Sequence, residues 1–75
     1  MRAVEDVPIE ELALLLEAVV ARHLGLARDD AFRVAAKALG FAAAGARVTA
    51  RLQLALSQLV ASKRVVQDGD SLQAG

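Results

Sequence analysis

Glycine divides this chain into segments of different period, and that division limits what it can fold into. Gly25, Gly40 and Gly45 bound stretches in which apolar residues recur every three or four positions, the spacing of one helix face. Further on, Asp68-Gly69 separates two short β-prone runs, the strongest hairpin signal that two residues can give. Three helices and then a tight hairpin is the expected order.

In the first segment Pro8 suits the opening turn, because its fixed φ is helical and its missing N–H is not needed there. Glu10 and Glu11 put negative charge near the positive end of the helix dipole. Ile9, Leu12, Leu16, Val19, Val20 and His23 share one face, and Gly25 closes the segment. Asp29 or Asp30 is expected to cap a second helix running to about Leu39, with Phe32, Ala35, Ala36 and Leu39 as its buried stripe. Arg33 and Lys37 lie four apart on its outside. Gly40 stops it, and Phe41 can fold back on the last turn. After a small-residue connection over 42–45, a third helix is expected from about Ala46 to Ser62, burying Val48, Leu52, Ala55, Leu59 and Leu56. Its opposite flank carries Arg47, Arg51, Leu54 and Gln58 in one continuous line.

The fold class that follows is mostly α with a small β-hairpin: a winged helix-turn-helix of three helices plus a C-terminal wing. The second and third helices form the helix-turn-helix. The single domain is expected over residues 4–73, with 1–3 and 74–75 frayed. A hairpin alone is marginal in water, so the wing must pack on the helices. A short strand at Leu26 and Ala27 would complete its sheet.

Composition matters because 75 residues support only a small core, rarely worth more than about 3–5 kcal/mol. Cysteine is absent, so no disulfide or thiolate metal site assists it. The N-terminus is acidic and broken by charges where a secretory signal would be apolar, and no run of 18 or more uncharged apolar residues spans a membrane. A cytoplasmic protein is expected. Phe32 and Phe41 are the only aromatics, which argues against stacking on single-stranded nucleic acid.

The formal net charge is zero, but it is sorted along the chain. Between Asp30 and Asp68 there is no acidic residue, while Arg33, Lys37, Arg47, Arg51, Lys63 and Arg64 all fall there. A surface sorted by sign has a direction, and its basic half suits an acidic partner such as duplex DNA. Arg47 and Arg51 occupy the turns of a recognition helix that reach base edges, and Gln58 would reach the backbone. About four to six phosphate contacts imply a log–log salt slope on the order of −4 to −5. The competing reading is a solvated flank whose arginine stems cover apolar surface. The wing tip, with Asp68 and Asp70, faces phosphates unfavourably, so contact is expected to be led by the helix. Lys63 and Arg64 would assist from the base of the wing.

Leu14 lies among Glu10, Glu17 and Ala18 on the outer face of the first helix, with Leu15 beside it. The two form a candidate contact with parent-protein domains or a second copy of the chain. His23 reads as structural, donating to carbonyls left free at the helix end. No catalytic constellation, metal-ligand set, cofactor motif or small-molecule site is evident.

The stretch Arg33 to Leu72 resembles a bacterial domain of unknown function found near the C-terminal end of large superfamily-1 helicase-like proteins, which often also carry a Vsr-like endonuclease domain. The resemblance rests on Arg33, Leu39-Gly40-Phe41, Gly45, Arg47-Val48, Lys63-Arg64 and the turn from Asp68 to Asp70. It implies a non-catalytic, helix-turn-helix-like accessory role in a DNA-processing protein. Members tend to carry hydroxyl or basic residues where this chain has Ala42 to Ala44 and Ala46, and an aromatic where Gln73 stands. Those differences imply weak DNA binding. The alternative is a protein–protein or dimerisation module that binds no nucleic acid.

Overall fold

The computed structural model describes residues 6–23, 25–42 and 45–75. Its elements are α1 (Ile9–Arg22), β1 (Leu26–Ala27), α2 (Arg28–Ala38), α3 (Ala46–Ala61), β2 (Val65–Asp68) and β3 (Ser71–Ala74). The expected residues 1–3 lie outside the described residues.

Pro8 stands one position before α1, as its N-cap. Its carbonyl accepts from the Glu11 and Leu12 amides at 3.0 and 3.1 Å. Glu10 and Glu11 occupy the first turn, where the dipole favours them. Leu12, Ala13, Leu16, Val19 and Val20 form the buried stripe. His23 departs from that stripe: it is the C-cap, has extended backbone and is exposed, and its Nδ1 donates to the Val19 carbonyl at 2.9 Å. Gly25 (φ +76°) turns the chain two residues later.

Neither Asp29 nor Asp30 caps α2. The N-cap is Ala27, and the Arg28 amide donates instead to the Asp70 carbonyl in the hairpin at 2.7 Å. A tertiary bond thus satisfies one of the first-turn amides that have no partner within the helix. Both aspartates sit in the first turn, where they complement the dipole. At the other end Gly40 (φ +94°) donates to Lys37 and Phe41 to Ala36, at 3.0 and 2.9 Å. This is a Schellman ending, and Phe41 folds back half-buried against the core as expected.

Val48, Leu52, Ala55, Leu56 and Leu59 are the buried stripe of α3. Together with Val7, Phe32, Val65, Leu72 and the stripes of α1 and α2 they make one core, and among the described residues no polar or charged side chain is buried. Leu12, Leu16, Leu52, Leu56 and Leu72 are fully buried, each contributing about 1.5–3 kcal/mol. A surface ion pair gives about 0–1 kcal/mol. The stripes therefore hold the fold, and the ion pairs tune it.

The three strands form one antiparallel sheet in the order β1-β3-β2. β1 pairs through Leu26↔Leu72 and Ala27↔Ser71, which establishes the short strand expected at those two residues. In the hairpin Val65 pairs with Ala74 and Asp68 with Ser71, so the two-residue loop is Gly69-Asp70 and not Asp68-Gly69. Gly69 has φ +61° and takes the first loop position, where a tight hairpin turn needs positive φ. The C-terminal boundary shifts too: Ala74 belongs to β3, and the Gly75 amide bonds the Arg64 carbonyl at 2.9 Å.

Candidate interaction surface

The basic residues of the acid-free stretch do not share one environment. The Arg51 Nη2 donates to the Val7 carbonyl at 3.0 Å, the guanidinium is half-buried, and its Nε is buried without a hydrogen-bond partner among the described residues. That arginine ties α3 to the segment before α1 and is not presented to a ligand. Arg64 reaches Glu17 of α1 at 3.6 Å. Arg33 reaches back one turn to Asp30 at 3.1 Å. Lys37, Arg47 and Lys63 are exposed, on α2, at the start of α3 and just past its end. Two of the predicted arginines therefore lie on the α1–α3 seam, and the others are spread over three places.

The expected reading line of α3 is divided: Arg51 and Gln58 face α1 and the segment before it, while Leu54 is turned outward. Gln58 lines a groove of about 300 Å³ together with Glu10, Ala13 and Leu14 of α1, and Leu59, Ser62 and Arg64 complete the lining. The outward line of α3 is Ala46, Ala50, Leu54, Ser57 and Ala61, all exposed. Leu54 is 53% exposed and Leu14 60%, the largest exposures among the big apolar side chains. Both are unusual only as a pair, since one exposed leucine needs no explanation.

Leu14 and Leu15 do not make one contact. Leu14 faces the α1–α3 groove, whereas Leu15 is half-buried against the core and lines a second groove with Ala18, Val34 and Ala38 between α1 and α2. Glu10 is the member of the α1–α3 groove that helical spacing does not single out, because the dipole already accounts for an acid in the first turn.

The α1–α3 groove has a polarity. Glu10 stands near its start, Arg64 at its other end beside Glu17, and Leu14 between them. Glu10 to Glu17 spans seven residues, roughly 10 Å along α1. The arrangement can hold an apolar side chain at its centre and opposite charges at its ends.

Among the described residues, no group of three or more His, Cys, Asp or Glu side chains could hold a metal ion, and no helix is long and apolar enough to cross a membrane. Comparison with protein-family models, with curated proteins and with solved structures finds no match.

Proposed function

We propose that this chain is a non-catalytic winged-helix module that works by docking on protein, with the α1–α3 seam as its contact surface. The order α1-β1-α2-α3-β2-β3 and the sheet order β1-β3-β2 support the winged-helix assignment. The observation that carries the docking reading is Leu14, 60% exposed in a groove between α1 and α3 that Glu10 and Arg64 rim, and the outward line of α3 weighs against DNA. A helix that reads the major groove presents polar or basic side chains there, and this one presents Ala46, Ala50, Leu54, Ser57 and Ala61. The arginines Arg33, Arg51 and Arg64 are engaged within the fold. An apolar patch rimmed by charges suits a protein partner. An accessory place beside a DNA-processing enzyme is compatible with the resemblance of Arg33 to Leu72, with the duplex handled by other domains.

The deciding measurement is fluorescence anisotropy of a labelled duplex titrated with the protein at low and moderate salt. A flat isotherm at about 50 mM salt and tens of micromolar protein is expected, since Arg33, Arg51 and Arg64 are engaged within the fold and the exposed cations do not gather on one face. Salt-steep, saturable binding that is lost in Arg47→Ala would overturn the docking reading in favour of DNA.

A further inference from the structure

The docking reading leaves the partner open, and the polarity of the α1–α3 groove narrows it. We infer that the partner is a second copy of this chain, joined by a two-fold axis that passes near Leu14. The inference rests on the docking reading and adds the occupant.

Three observations carry it. Leu14 lies about midway between Glu10 and Glu17, and it is the most exposed large apolar side chain in the described structure. A two-fold axis at that point sets Leu14 against the Leu14 of the second copy. Two-fold contacts are isologous, so each residue meets what its counterpart meets. The ends of the groove then exchange: Glu10 of one copy faces Arg64 of the other, and the reverse pair forms on the far side of the axis. The groove is thus complementary in charge to itself when turned around, which an acidic or basic foreign surface would match at one end only. The Arg64 side chain is 57% exposed while it holds Glu17, so it has room for a second carboxylate. The acid–base–acid arrangement Glu17–Arg64–Glu10 is a network, the setting in which surface charges count for more than an isolated pair.

Size and charge agree with this. A net charge of zero leaves no long-range repulsion between copies. The patch is small, so the contact belongs with weak interfaces below about 1,200 Å², and a dissociation constant of roughly ten to a hundred micromolar is expected.

Sedimentation equilibrium from about 5 to 500 µM tests it directly. The weight-average mass should rise with concentration from 7.9 kDa towards twice that value. Leu14→Glu should hold the protein monomeric, and so should Glu10→Arg and Arg64→Glu, each of which sets like charges against each other at both ends. An equimolar mixture of E10R and R64E should associate again, because both cross-axis pairs are then opposite in sign. Thermal melts by circular dichroism check that each variant is folded. Glu10→Arg leaves the Arg64–Glu17 pair in place, so it reports on the interface even where Arg64→Glu weakens the fold. A wild-type protein that stays monomeric throughout, or single charge variants that associate as well as wild type, overturns the second-copy proposal. A folded E10R and R64E mixture that fails to associate does the same. Monomeric behaviour with a flat DNA titration removes this partner and leaves docking standing, whereas salt-steep DNA binding removes the docking reading itself.

Discussion

α2 and α3 end in the same hydrogen-bonded geometry, with different chemistry at its central position. In α2 the left-handed residue is Gly40, followed by Phe41 bonded to Ala36. In α3 it is Lys63 (φ +61°), whose amide bonds Val60 at 3.1 Å, followed by Arg64 bonded to Leu59 at 2.9 Å. Glycine adopts this conformation freely, whereas a residue with a Cβ spends about 1–2 kcal/mol on it. The first ending also gains a half-buried aromatic, and the second gains an exposed arginine that reaches Glu17 instead. One terminus is built for stability. The other gives up stability and places Arg64 at the end of the α1–α3 groove.

The comparison can be broken at either end. Gly40→Val should have the largest effect, losing about 2 kcal/mol or more in urea denaturation, since a β-branched residue at φ +94° is strained. Phe41→Ala should lose about 1–2 kcal/mol, less than a fully buried phenylalanine, because this one is half-buried. Lys63→Gly should go the other way. Relief of the left-handed strain outweighs the added flexibility of the unfolded chain, for a net gain of about 0.5–1 kcal/mol. In a domain of this size that raises the melting temperature by roughly 2–8 °C. If Lys63→Gly is neutral or destabilising, the two endings are not equivalent. Gly75→Ala should act weakly on the same place. A Cβ there meets the Lys63 carbonyl oxygen and must swing the chain end away, which costs the Gly75–Arg64 hydrogen bond. A loss of about 0.5–1 kcal/mol is expected. Arg33→Ala is the smallest change, within about 0.5 kcal/mol, since its pair with Asp30 is exposed on both sides.

These two termini also mark what could be read in the chain. Gly40 announces its helix end because the left-handed requirement is written in the residue type. Lys63 announces nothing, and the end of α3 was placed near Ser62 only because the apolar period stops there. Helix faces were legible for a similar reason: Leu12, Leu16, Phe32, Leu52 and Leu59 repeat at the helical period whatever they pack against. The hairpin was legible, but its loop lay one residue further on, since Asp68-Gly69 and Gly69-Asp70 both satisfy turn chemistry. Pairing of Val65 with Ala74 decides between them. The start of α2 was not legible, because its first amide is held by the Asp70 carbonyl, 42 residues later in the chain. The candidate site was less legible than the fold. Whether Arg51 is offered to a ligand depends on Val7, and whether Arg64 is paired depends on Glu17. Neither partner can be inferred from a local period. The acid-free stretch located cations correctly and said nothing of where their hydrogen bonds go.

The sheet order β1-β3-β2 has a consequence for synthesis. The central strand is the one made last, so β1 and β2 have no neighbour to pair with until Ser71 to Ala74 have been added. The long-range closure between Leu26 and Leu72 carries the largest loop entropy in the sheet. The three helices can collapse while the chain is still being extended, because their contacts need nothing beyond Ala61. Both edge strands therefore gain their partner together, when Ser71 to Ala74 take their place between them.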